Sequence, residues 1–288
     1  MLKEEKFFFA VLGHPIGHSL SPIMHNASMS SINYKGSYSA LDVHPEKLMD
    51  SLYSMSQKGF LGVNLTIPHK EVAFANLEYL DDSAKLFGAV NTISFKNQML
   101  VGYNTDGYGF IEALKRNFGK GVEGENIFIL GCGGAGRTVA LQSACNNAKK
   151  LWLADVDINR IKKLRKEIQD LNAHIEIEYS TSLDQQEIAC KQSNLVVQAS
   201  PIGMKKEDKS LFSEKAFHKN QKVFDLIYMY PETDFLKTAK ETGASIANGM
   251  DMLVFQGAKS FNIWTDLSPN IEIMRSSIAN IIYKEVHD

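Results

Sequence analysis

Residues 126–136 read Asn126-Ile-Phe-Ile-Leu130-Gly131-Cys-Gly-Gly-Ala-Gly136, and a helix-like stretch follows to about Asn146. The unbroken apolar run before the glycines suits a strand buried on both faces. Gly131, Gly133 and Gly136 then have the spacing of a strand–turn–helix unit. Gly131 permits the tight turn, Gly133 lets backbone approach a pyrophosphate, and Gly136 lets the helix pack on the strand. Gly134 and Ala135 fall at the helix start, where free N–H groups favour an anion. The alternative is a plain glycine-rich turn, and the strand and helix on either side weigh against it.

Downstream, a second strand is expected at Leu151–Ala154. It ends on Asp155, 19 residues after Gly136. A carboxylate there can accept hydrogen bonds from an adenine-ribose 2′-hydroxyl, whereas a 2′-phosphate would meet like charge. Val156 and Asp157 offer no arginine clamp, although Arg160, one turn on, can reach a phosphate. The pattern leans to NAD over NADP. The bland reading is that Asp155 caps a helix starting near Ile158. More strands are expected at Ile175–Tyr179, Leu195–Ala199 and Val223–Ile227, which completes a doubly wound domain over 106–247.

Upstream, strands are expected at Phe7–Leu12, Tyr38–Val43, Leu61–Ile67 and Ala89–Phe95. Helices are expected from Ser21-Pro22 to about Ser31 and from His44-Pro45-Glu46. This predicts a mostly parallel α/β domain over 1–105. Residues 248–288 look helical, fit the second sheet poorly, and are expected to pack back on the first domain.

Length and composition bound the function. The chain has 288 residues, 44% of them hydrophobic, enough for one large or two medium domains with real cores. A net charge of −2 without a long basic run argues against nucleic acid as partner. Cys132, Cys145 and Cys190 lack metal-site spacing and suit reduced thiols in a cytoplasmic protein. The run Phe7–Leu12 is too short for a signal segment, and no stretch nears the roughly 20 apolar residues of a membrane span. Pro15 and Pro22 keep His14, His18 and His25 off one regular helix, so no metal is expected. Oligomeric state is not legible, and a homodimer stays open.

The candidate chemistry lies in Leu61-Gly-Val-Asn-Leu-Thr-Ile-Pro-His-Lys70 and Gly102-Tyr-Asn-Thr-Asp-Gly107. The first segment ends an apolar strand in Asn64, Thr66 and Lys70, with Pro68 stiffening the exit. A loop lysine is usually solvated surface. Here burial and a nearby positive ring would disfavour its charged form, while Asp106 would oppose that and hold the amine. Such opposed influences suit proton transfer coupled to hydride transfer. Ser19 and Ser21 are either helix caps or hydroxyl donors to a substrate carboxylate. Asn91 is either a turn residue or a partner for vicinal hydroxyls, and Gln256 either an exposed helix residue or a further hydroxyl partner. No Gly-x-Ser-x-Gly elbow supports a hydrolase.

Seven segments in order resemble the shikimate dehydrogenase family, including its quinate/shikimate branch. They are Gly13–Pro22, Asn64–Lys70, Gly88–Thr92, Asn104–Gly107, Gly131–Arg137, Asp225–Tyr228, and Asn248–Leu253 with Gln256. The resemblance implies reversible reduction of 3-dehydroshikimate to shikimate, on the route to chorismate and the aromatic amino acids, in a cleft between two domains. It implies that Ser19 and Ser21 hold the substrate carboxylate with Tyr228 nearby. Lys70 and Asp106 would be the catalytic pair, and Asn64, Asn91 and Gln256 would meet ring hydroxyls with Thr66 beside them. Gly249 and Met252 would lie on the cofactor side, Met252 near the nicotinamide. The chain departs from the biosynthetic pattern at Asp155-Val-Asp157, where Asn-Arg-Ser/Thr is usual for NADP. NAD-dependent quinate/shikimate oxidation is therefore an alternative, and a silent dinucleotide-sensing regulator is an alternative of another class. Such a regulator would have no reason to keep Lys70 with Asp106.

Overall fold

The computed structural model describes residues 7–96 and 99–283. These form two compact units, one from the described residues of Met1–Gly109 and Leu253–Asp288, the other Phe110–Met252.

In the first unit the chain runs β1 (Phe7–Gly13), α1 (Ser21–Ser31), β2 (Gly36–Asp42), a short 3-10 turn at Pro45–Lys47, α2 (Leu48–Gln57), β3 (Phe60–Leu65), α3 (His69–Asn76), β4 (Tyr79–Leu80), α4 (Asp82–Phe87), β5 (Thr92–Lys96) and β6 (Met99–Tyr103). The strands lie in the order β2-β1-β3-β5-β6-β4. β1 is parallel to β2 and β3, whereas β5 is antiparallel to both β3 and β6. The sheet is therefore mixed. The sequence reading missed the short β4 and the return strand β6. β6 alternates buried and half-buried residues around Gly102, a weak apolar signal.

Both faces of this sheet are covered, which explains the continuous apolar run of β1. Ala10 and Leu12 join one cluster with Leu48, Leu52, Val63 and Ile93. Phe9 and Val11 join another with Met29, Tyr38, Phe261 and Trp264. The last two residues belong to α10 (Met250–Thr265). The Trp264 indole N–H donates to Ile93 O at 2.9 Å. Gly62 makes room for the ring, since a Cβ there would stand 2.1 Å from Trp264 Nε1. This contact fixes α10 over the sheet. The final helix, α11 (Ile271–Ile282), packs on α1, and Asn270 N–H donates to Ser28 Oγ at 2.9 Å.

The second unit takes in most of α5 (Asp106–Phe118), then β7 (Asn126–Leu130), α6 (Gly134–Cys145), β8 (Lys150–Ala154), α7 (Ile158–Leu171), β9 (Glu176–Ser180), α8 (Leu183–Gln192), β10 (Leu195–Gln198), β11 (Lys222–Asp225), α9 (Asp234–Glu241) and β12 (Ser245–Asn248). All strand pairs are parallel, in the order β12-β11-β10-β7-β8-β9. This is the doubly wound arrangement that the glycine turn implied, with the order reversing beside β7. β12 was missed: Asn248, read as the start of a purely helical segment, ends a strand.

Candidate active site

Five segments of the first unit end at one edge of its sheet. β1 and β3 deliver the residues that follow their C-terminal ends. The antiparallel β5 brings its start, Asn91-Thr92, to the same edge, and β6 brings its exit, Asn104-Thr105-Asp106. One turn of α10 adds Gln256 and Ser260. The chain reversal at β5 is what makes this convergence possible.

Lys70 lies in the first turn of α3, not in a loop as read from the sequence, because Pro68 and His69 already begin the helical turn. Its Nζ is 2.7 Å from Asp106 Oδ2, and both side chains are partly buried. The other Asp106 oxygen accepts from Asn91 Nδ2 at 2.7 Å. Asn91 Nδ2 also meets Thr105 Oγ1 at 3.0 Å, and its Oδ1 accepts from Thr105 N–H at 2.9 Å. The ion pair is thus held from its carboxylate side by a buried amide.

Asn64 continues the network. Its Nδ2 is 3.0 Å from Asn91 O, 3.0 Å from Thr92 Oγ1 and 2.9 Å from Ser260 Oγ, while its Oδ1 accepts from the Tyr38 hydroxyl at 2.7 Å. The Ser21 hydroxyl bonds to the same phenol, and burial pushes the Tyr38 phenol well above its usual range. Gln256 Nε2 donates to Leu253 O at 2.8 Å, and its Oε1 stands 3.5 Å from Asn91 Nδ2. Thr66 packs its methyl group near Gly13.

One expectation about the serines is corrected. Ser21 does not cap α1: the N-cap is Leu20, in a helical conformation without a side-chain cap, and Ser21 is the first helical residue. Ser19 Oγ instead accepts from Ser21 N–H at 3.4 Å. The reason is local: the chain is already helical at Leu20, so the turn begins one residue early. Tyr38, Thr92, Thr105 and Ser260 were not singled out from the sequence. Thr92 and Thr105 sit inside quoted motifs, and Ser260 lies one helical turn beyond Gln256. Nothing local marks Tyr38.

In the second unit, the glycine turn has the geometry that its sequence implies. Gly131 has φ +99°, and a Cβ on Gly136 would stand 1.8 Å from Gly131 O. Gly133 and Gly134 face open space, so a phosphate could approach their backbone closely. Asp155 is buried; its Oδ2 accepts from Cys132 N–H at 2.7 Å and its Oδ1 from Asp157 N–H at 2.9 Å. It does not cap α7; Asp157 does, through Asn159 N–H. Arg160 lies 3.6 Å from Asp157, and Val156 is 95% exposed. Burial and the Asp155 charge push the Cys132 thiol up to about 12, so it stays protonated. Tyr228, Gly249 and Met252 also belong to this unit. Burial raises the Tyr228 phenol. Gly249 is required by a close approach, since a Cβ would lie 2.0 Å from Leu226 O. No group of three His, Cys, Asp or Glu side chains among the described residues could hold a metal ion. No helix among them is long and apolar enough to cross a membrane.

A doubly wound α/β unit with this turn, and a second α/β unit carrying a lysine–aspartate pair, define an oxidoreductase. Residues 11–93 match the shikimate dehydrogenase substrate binding domain, and residues 249–278 match the shikimate 5′-dehydrogenase C-terminal domain. A shikimate dehydrogenase (NADP+) of Methanocaldococcus jannaschii is 37% identical over 99% of this chain and 100% of its own. A crystal structure of a shikimate dehydrogenase in complex with NADP+ is 35% identical, covers 98% of each chain, and has a TM-score of 0.88. The shikimate 5-dehydrogenase of Listeria monocytogenes, solved with shikimate and NAD, is 28% identical over 95% of this chain and 96% of its own, with a TM-score of 0.88. The chain belongs to the shikimate dehydrogenase family.

Proposed function

We propose that this protein interconverts 3-dehydroshikimate and shikimate with a nicotinamide dinucleotide, and that it prefers NAD. The observation that carries the reaction is the Lys70–Asp106 pair at 2.7 Å, held by Asn91 among buried amides and hydroxyls. In this reading Ser19 and Ser21 bind the substrate carboxylate. Asn64, Thr66, Asn91 and Gln256 order the ring hydroxyls. Lys70 Nζ gives a proton to the carbonyl oxygen during reduction and takes it back from the hydroxyl during oxidation. Asp106 keeps the amine in place, which is most of what orientation demands of it.

Gly131, Gly133, Gly134, Ala135 and Gly136 would cradle the dinucleotide's phosphates, and Gly249 and Met252 would lie at its other end. When bound, the nicotinamide accepts or supplies the substrate's hydride at its C4. The NAD preference rests on Asp155, buried beside the turn with its carboxylate directed at Cys132 N–H. Asp157 adds a second negative charge and engages Arg160. A 2′-phosphate would meet both acids. Relatives named for NADP+ weigh on the other side. A cytoplasmic setting suits the three free cysteines.

Initial rates of shikimate oxidation with NAD and with NADP, followed by absorbance of the reduced cofactor, test both parts. A faster rate with NAD, reversed by Asp155→Ala, is expected. No rate with either cofactor would overturn the reaction, and a strong NADP preference would overturn the role of Asp155.

A further inference from the structure

The buried amide of Asn64 has only one orientation that satisfies its neighbours. Asn91 O can only accept, so the contact at 3.0 Å identifies the inward end of the Asn64 amide as its NH2. Ser260 secures the same end. Its hydroxyl donates to Gln256 O at 3.0 Å, one turn back on α10, and this leaves a lone pair facing Asn64 Nδ2 at 2.9 Å. Thr92 Oγ1 lies 2.7 Å from Ser260 Oγ, where its hydrogen fills the contact, and it presents a lone pair to Asn64 Nδ2 at 3.0 Å. Both Asn64 hydrogens are therefore used inside the protein. Its oxygen takes the Tyr38 hydroxyl at 2.7 Å and keeps one acceptor site. Ser260 is fully buried, and α10 is held over the sheet by Trp264, so the serine has little freedom to move away.

We propose that Ser260 is a positioning residue for substrate specificity. By holding the Asn64 amide with its NH2 inward, it makes Asn64 a pure acceptor toward the substrate. The site then selects a ring position bearing a hydroxyl that can donate, and discriminates against the same position without one. This rests on the shikimate reading above. A buried acceptor left unpaired by a missing hydroxyl is what creates the discrimination.

The test compares kcat/KM for shikimate, 4-deoxyshikimate and 5-deoxyshikimate in the wild type, Ser260→Ala and Ser260→Thr. Ratios between substrates cancel the fraction of correctly folded enzyme, so partial loss of folding does not blur the result. The wild type is expected to prefer shikimate over one of the two analogues, and Ser260→Ala to shrink that preference about tenfold, the scale of one lost buried hydrogen-bond partner. Ser260→Thr, which keeps the hydroxyl, is expected to restore it. A Ser260→Ala enzyme that loses activity on shikimate and on both analogues by the same factor would overturn the proposal and reduce Ser260 to a packing residue. An unchanged preference would overturn it too. A wild type inactive on shikimate would instead overturn the functional reading, and the proposal with it.

Discussion

His25 should give the first unit a specific weakness to acid. Its ring is fully buried, stacked on Tyr38 with centroids 4.3 Å apart, and neither ring nitrogen has a hydrogen-bond partner among the described residues. Burial lowers its pKa from 6.5 to about 3. The folded state therefore holds His25 neutral, while the unfolded chain protonates it below about pH 6.5. The unfolded state binds the extra proton, so stability is full above pH 6.5 and falls as pH drops toward 3. At 1.36 kcal/mol per pKa unit, the loss between pH 7.5 and 4.5 is about 3 kcal/mol. His25→Phe keeps the stacked ring and removes the titration. Any overpacking strain, about 1–3 kcal/mol, is independent of pH and cancels in the comparison. Trp264, 5.9 Å from the His25 ring, is a local reporter in a Trp152→Phe background. Urea unfolding followed by its fluorescence, at pH 7.5 and 4.5, should show the wild type losing about 3 kcal/mol more than the variant. Equal losses in the two proteins would refute the reasoning.

Lys70→Ala is expected to lower kcat by about 10²–10⁴ with little change in KM, the usual scale for a positioned acid/base; a fully active variant would remove Lys70 from the mechanism. Gly136→Ala pushes a methyl group to 1.8 Å from Gly131 O. NADH binding, read by nicotinamide fluorescence, should weaken about tenfold or more, as ~1–3 kcal/mol of overpacking implies; unchanged binding would show that the close approach has no role there. Asp225 is buried, and desolvation raises its carboxyl to about 6 despite hydrogen bonds from Thr233 and Ile227. Its folded form keeps a proton that the unfolded chain loses, so wild-type stability falls as pH rises from about 4 to 6. The stability of Asp225→Asn relative to wild type should accordingly rise by about 2 kcal/mol from pH 4 to 7, measured by urea unfolding, and a flat difference would contradict the raised pKa.

Much of the second unit was legible in the sequence because its signals are local. Asn126–Leu130 reads as a strand because four successive apolar residues need burial on both faces, and its predicted limits match β7. The glycines that follow are fixed by a positive φ at Gly131 and by contact between Gly136 and Gly131 O, and both constraints act within six residues. Asp155 could be placed at the end of β8 by strand counting. What it touches, Cys132 N–H, depends on the parallel pairing of β7 with β8.

The first unit divides differently. Sequence alone supplied Asn64, Lys70, Asn91 and Asp106 as residue types suited to hydroxyl and proton chemistry. It paired Lys70 with Asp106 but did not bring Asn91 onto the same carboxylate, because that depends on β5 running antiparallel to β3 and on β6 returning beside it. β6 was missed because its apolar signal is broken by Gly102. Tyr38 and Ser260 lay beyond reach for a related reason. A tyrosine in a strand and a serine in a helix carry no mark of their partners until the sheet and α10 set both side chains against Asn64. Local pattern determined which groups the chain carries and where its strands and turns begin. Strand direction and helix packing, which join residues as far apart as Asn64 and Ser260, 196 positions, decided which of those groups share a site.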